Sequence, residues 1–189
     1  LERNQDRPPY DLAALSRMRR TANNMQTLLQ TLLILAREEY PTAPESPASL
    51  NQAAQKEADL LSDLASQREV SLTVTERAQA QVDAPSEMLR IVISNLVRNA
   101  INYSPKGQVE LIVERDVLTV KDSGVGMSPE EQKQLYQAFY RGEGGRNQAN
   151  GYGLGLAIVK RIADRYGWDL DVESAPGEGT EFSVLFRGS

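Results

Sequence analysis

Residues 86–104, SEMLRIVISNLVRNAINYS, put two different stripes on what reads as one helix. Leu89, Ile93, Leu96 and Ala100 recur at spacings of three and four and share one face, as a core stripe does. Asn95, Asn99 and Asn102, at i, i+4 and i+7, share a second face, about a third of a turn away on helical-wheel geometry. Asparagine is a poor helix former because its amide competes for backbone groups, so three in line gain nothing by merely facing water. A row of neutral oxygen donors suits Mg²⁺, which takes hard oxygen ligands, keeps several waters and completes its shell from nucleotide phosphates. By itself the helix reads equally as one with a solvated polar face. Pro85 marks its start, with Asp83 the expected cap, and Ser104-Pro-Lys-Gly107 breaks it.

Outward from this helix, residues 109–114 and 118–121 read as an antiparallel pair turning at Arg115-Asp116. Helices are expected over 129–139 and 154–166, and closing strands over 169–174 and 180–186 around the turn APGEG at 175–179. Upstream, 50–67 reads as a helix, 70–75 alternates as a strand, and 81–83 reads as a short second strand. Helices and strands mix without strict βαβ alternation, so the fold class is an α/β two-layer sandwich with a mixed, largely antiparallel sheet.

A long heptad-patterned helix precedes it. Over 11–39, Leu15, Met18, Ala22, Met25, Leu29, Leu32 and Ala36 alternate spacings of three and four. Leu28, Leu33 and Leu35 widen the stripe toward bundle packing, the other reading being a helix laid on its own domain. Residues 40–47, YPTAPESP, hold three prolines and read as a linker. The domains expected are therefore 1–40 (helical), 41–49 (linker) and 50–189.

The chain of 189 residues has no cysteine and no histidine, a net charge of -5, and no apolar run of the roughly 20 residues a membrane span needs. Disulfides, thiolate metal sites, histidine bases and Ser-His-Asp triads are excluded. The acidic balance argues against nucleic acid as a partner.

Further motifs carry chemistry. Asp122-Ser-Gly-Val-Gly-Met127 follows a strand; Asp122 at its end suits an exocyclic amine such as that of adenine, and Gly124 and Gly126 let the backbone approach a flat base. Gly151-Tyr-Gly-Leu-Gly155 opens a helix, whose free N–H groups suit phosphate oxygens. Each alone is as readily an ordinary turn. Between them lie Phe139-Tyr-Arg141 and the polar, glycine-rich run 142–151, GEGGRNQANG, read as a mobile lid or else as a plain loop.

In this order the motifs resemble the ATP-binding (Bergerat-fold) domain shared by sensor histidine kinases, gyrase-type topoisomerases, Hsp90 chaperones and mismatch-repair ATPases. Residues 95–103 are similar to its N box, 122–126 to the G1 box, 139–141 to the F box, 151–155 to the G2 box, and Gly179-Thr180 to its closing pair. The hydrolysing relatives carry a glutamate where this chain has Asn95, and an amide is no general base. With the heptad helix, which resembles the second helix of a dimerisation and histidine-phosphotransfer hairpin, this favours the kinase branch.

The resemblance implies Mg²⁺ on Asn99 with Asn95 beside it, and the adenine amine on Asp122. It implies Tyr103 at the base or sugar, Gly124 and Gly126 at the base, Gly151, Gly153, Leu154 and Gly155 at the phosphates, and Thr180 behind Asp122. Asn102 stands where many relatives have a cation, so Arg141 at the terminal phosphate, or Arg146, is expected to supply the charge. The implied activity is transfer of the γ-phosphoryl group of Mg-ATP to a histidine that this chain lacks, expected on a first hairpin helix upstream. A response regulator, homodimerisation through the helical region and a cytoplasmic location beneath an inner-membrane sensor are implied with it, without direct membrane contact by this segment. A hydrolysing ATPase and a non-enzymatic scaffold are the alternatives.

Overall fold

The computed structural model describes Met18, residues 47–140 and residues 153–187. The chain divides into two compact units, Leu1–Arg37 and Glu38–Ser189. Met18, helical and exposed, is the described residue of the first. The heptad seam otherwise lies outside the described residues, as does the proline-rich stretch up to its last residue, Pro47.

The second unit runs β1 (Ala48–Ser49), α1 (Leu50–Gln67), β2 (Ser71–Glu76), β3 (Gln81–Val82), α2 (Ser86–Tyr103), β4 (Gln108–Val113), β5 (Val117–Asp122), α3 (Pro129–Gln134), α4 (Gly155–Tyr166), β6 (Asp169–Ala175) and β7 (Gly179–Leu185). Among the described residues, five strands form one sheet in the order β2-β4-β5-β7-β6. Only the β2–β4 pair is parallel, with α2 in its crossover; the other three pairs are antiparallel. This is the mixed, mainly antiparallel sheet expected.

Alternation along the strands separates two faces. Leu111, Val120 and Phe182 lie side by side in register and are buried, as are Val113, Leu118 and Val184. The opposite face carries the row Glu110, Lys121, Glu181 and Glu173, with Lys121 Nζ 2.9 Å from a Glu181 carboxylate oxygen. One apolar face covered by helices gives two layers.

Helix α2 is the central element, packed against α1, α4, β4 and β5. Leu89, Ile93, Leu96 and Ala100 are all buried. Met88, Val92, Val97 and Ile101 are buried too, because a helix flanked by two others and backed by a sheet needs a wider apolar arc than one stripe.

Glu57 of α1 reaches this interface with a side chain only 5% exposed, and Arg90 Nε on α2 donates to it at 2.8 Å. Removing the charge of a buried ion-pair member leaves its partner uncompensated. Because Arg90 stays half exposed, Glu57→Gln is expected to cost about 1–3 kcal/mol. Urea unfolding with an unchanged m-value checks this; an unchanged midpoint contradicts it.

Three local expectations are corrected. Asp83 does not cap α2: it is exposed, and the cap position is Pro85, which makes no side-chain hydrogen bond while its carbonyl accepts from Met88 N–H. The helix expected over 129–139 ends at Gln134, beyond which Leu135, Gln137 and Tyr140 make i→i−3 bonds and Phe139 takes φ +66°, which no right-handed helix continues. Its start is well marked, by Pro129 and a Ser128/Glu131 capping box. Residues 48 and 49, read as linker, form β1 against β3, and Asn51 ties the junction by bonding Ala78 C=O and Ala80 N–H, each at 2.9 Å. A two-residue strand has no periodicity to read.

Candidate functional site

On the three central strands, β4, β5 and β7, the inner face of the sheet is apolar until its last row. There the register sets Asp122 beside Thr180 and Thr180 beside Ser174. Asp122 is 8% exposed, and its Oδ1 accepts from Ser104 Oγ at 2.9 Å and Gly124 N–H at 2.8 Å. Burial pushes this carboxyl above the usual carboxylate range, while hydrogen bonds from Gly124 N–H, the Ser104 hydroxyl and Thr180 N–H pull it back. The Thr180 hydroxyl lies 3.0 Å from Ser174 Oγ, which also accepts from Met127 N–H at 2.9 Å.

The glycines of the loop after β5 are there for backbone proximity. A methyl group on Gly124 would stand 2.4 Å from the Tyr103 carbonyl oxygen, and one on Gly126, at φ +66°, 1.9 Å from that of Ala175. Val125 N–H donates to Tyr103 C=O, and Val125 C=O accepts from Gly177 N–H. Gln132 Nε2 donates to the carbonyls of both Met127 and Ser174. The loop is thus stitched to the end of α2 on one side and to the β6–β7 turn on the other.

A second cluster forms eight residues earlier on α2, about 12 Å along the helix at 1.5 Å per residue. Asn95 Nδ2 donates to Ile91 C=O at 2.7 Å, which fixes the amide and leaves Oδ1 against Gly155, where a methyl group would be 2.7 Å away. Gly155 opens α4, whose cap residue Leu154 supplies no side-chain acceptor to the first-turn N–H groups. Asn99, Asn102 and Tyr103, all half-buried, fill the helix between and beyond.

Gly153, at φ +69°, accepts from Phe139 N–H at 2.9 Å, joining the two ends of segment 141–152. Arg141, Arg146 and Gly151 lie in that segment, outside the described residues. The structure therefore brings Tyr103, Asp122, Gly124, Gly126 and Thr180 into one cluster and Asn95, Leu154 and Gly155 into another, with Asn99 and Asn102 on the helix that connects them.

Three participants escape sequence reading: Ser104, Ser174 and Gln132. Ser104 looks like part of a helix break. Ser174 is the more detectable, since on a strand whose inner positions are Leu170 and Val172 it is the next inner residue and the first polar one.

Residues 84–188, more than half of the chain, match the family model described as histidine kinase-, DNA gyrase B-, and HSP90-like ATPase. The chain belongs to this ATPase family. Among its relatives, the phosphate regulon sensor protein PhoR of Pseudomonas aeruginosa is 34% identical over 197 residues, covering 98% of this chain and 44% of the relative. The sensor-like histidine kinase SenX3 of Mycobacterium tuberculosis is 38% identical over 120 residues, 56% of this chain and 29% of the relative. The chain thus spans less than half the length of these sensor kinases. A solved structure of the mycobacterial sensor histidine kinase MprB superposes with TM-score 0.64 at 25% identity, over 74% of this chain and 95% of that one. Full-length ShkA gives TM-score 0.76 at 21% identity, over 96% of this chain and 39% of that one, a likeness of fold. These relatives are sensor histidine kinases, the branch of the ATPase family that Asn95 and the heptad helix favour.

Proposed function

We propose that residues 50–189 bind Mg-ATP along α2 and donate its γ-phosphoryl group to a histidine imidazole in two-component signalling. The observation that carries this is the pairing of two unlike sites on one helix: a buried carboxylate at its end, and the uncapped start of α4 against Asn95. Asp122 accepts the adenine amine, with Thr180 behind it and Tyr103, Gly124 and Gly126 about the ring. The N–H groups from Gly153 to Gly155 take phosphate oxygens.

The donor chemistry fits a hard cation. Among the described residues no three Asp, Glu, His or Cys cluster as ligands, so Mg²⁺ would take its protein oxygens from Asn99 and Asn95 and the rest from water and phosphate. Bound there, it supplies charge stabilisation for phosphoryl transfer. Arg141 and Arg146 are the cations we assign to the terminal phosphate, with Asn102 contributing an uncharged contact.

Transfer forms a bond between an imidazole nitrogen and the γ-phosphorus and breaks the bond to the bridging oxygen, releasing ADP. The chain has no histidine, so the acceptor comes from another segment or polypeptide. Asn95 argues against the hydrolysing reading, because its amide, engaged with Ile91 C=O, has no basic group with which to deprotonate water. Dimerisation through the heptad helix, a response regulator as the next acceptor and a location at the cytoplasmic face of a membrane complete the proposal. Among the described residues no helix is long and apolar enough to cross a membrane.

Calorimetric titration with ATP tests it: saturable 1:1 binding that requires Mg²⁺ for full affinity is expected, and absence of binding contradicts it.

A further inference from the structure

Ser104 is among the most buried polar residues described, 1% exposed. It sits one residue past α2, where its hydroxyl donates to Asp122 Oδ1. A hydroxyl has one proton to give. Spending it on Oδ1, which already receives Gly124 N–H, surrounds that oxygen with donors and leaves it no room to carry a proton itself. The three groups touch closely: a methyl group on Gly124 would stand 2.5 Å from Ser104 Oγ and 2.8 Å from Asp122 Oδ1. Bulk water does not reach the position to substitute for the hydroxyl.

We infer that Ser104 is a positioning residue for base recognition, holding the Asp122 carboxylate as a fixed acceptor and so selecting purines with an exocyclic amine over those with a carbonyl there. This rests on the nucleotide reading given above. The neighbours leave the task to hydrogen bonds. Val109 from β4, Thr180 from β7 and Ser174 from β6 share the carboxyl's row, while Lys121 and Glu181 lie on the sheet's other face. Tyr103 is the titratable residue next to Ser104 on α2. Among the described residues no charged side chain contributes to the carboxyl's displacement; burial raises it and the hydrogen bonds oppose that. Without the Ser104 donor the carboxyl rises further. Since the ionised form accepts the amine, affinity for an amino-purine is lost as pH falls, and the variant loses it at a higher pH than the wild type.

The test compares Mg-ATP with Mg-ITP, whose base has a carbonyl in place of the amine, on the whole chain and on Ser104→Ala, from pH 5 to 8. Ser104→Ala is expected to weaken ATP binding about tenfold at pH 7, the share of one hydrogen bond to a charged group. ITP affinity is expected to stay within about twofold, far less than one such bond. The acid loss of ATP affinity moves upward in pH, and Ser104→Thr, which keeps the hydroxyl, retains the discrimination. If ATP and ITP weaken together, or if neither changes, the role assigned to Ser104 is overturned while the nucleotide site stands. A wild-type chain that binds neither nucleotide overturns the site itself.

Discussion

Asp122→Asn is expected to reduce Mg-ATP affinity by at least about a hundredfold while leaving the fold intact. The asparagine Oδ1 still accepts from Ser104 and Gly124, so the side chain keeps its place. What changes is its other end, an acceptor in the acid and an NH₂ donor in the amide. Facing an amine, the donor loses a charge-assisted bond of about 1.5–3 kcal/mol and leaves two donors unpaired at about 1–3 kcal/mol more. Every 1.4 kcal/mol is about tenfold.

The same substitution has an opposite effect on stability. Burial raises the folded carboxyl above its unfolded value, so its contribution to stability is present at low pH and is lost as pH rises through the folded pKa. Asp122→Asn is therefore expected to melt no lower than the wild type at pH 7, its advantage shrinking on acidification. Calorimetry with thermal melts at two pH values separates the effects; lost binding together with a collapsed melt would contradict this reading of the site.

Gly179→Ala carries the largest expected effect on stability, about 3 kcal/mol or more. Gly179 is buried at φ +83°, and a methyl group there would stand 2.0 Å from the Asp122 carbonyl oxygen and 2.9 Å from its carbon. These are backbone atoms of the adjacent strand and cannot turn aside. Gly177 supplies the control: φ is +82° but nothing lies within 4 Å of its methyl position, so Gly177→Ala meets only the left-handed backbone penalty, about 1 kcal/mol. Urea midpoints for the two variants measure the difference. Equal losses would mean that the close approach of β7 to Asp122 is not the constraint described.

Legibility followed the length and periodicity of each element. Helices α1 and α2 span two faces over 18 residues each, so their spacing reports both extent and core side, and the strands of the main sheet alternate clearly. Phe139 illustrates the failure: its helix-compatible sequence gives no sign of φ +66°, because the bond from its N–H to Gly153 C=O is made 14 residues away. The site divides likewise. Asp122 and the glycines declare themselves because few other residues do their work at a strand end or a tight approach. Ser104, Ser174 and Gln132 do not, since serine in a helix break or at a strand end usually faces water, and only the register beside Thr180 and the fold of the loop give them partners.

The central claim is that this site donates a phosphoryl group to a histidine instead of to water. The measurement is incubation of the chain with γ-labelled Mg-ATP and a separately supplied helical hairpin bearing an exposed histidine from a sensor kinase. The account predicts label on the hairpin in an acid-labile, alkali-stable linkage, lost with Asp122→Asn and absent when the histidine is replaced. Steady release of labelled phosphate with an unlabelled hairpin would contradict it.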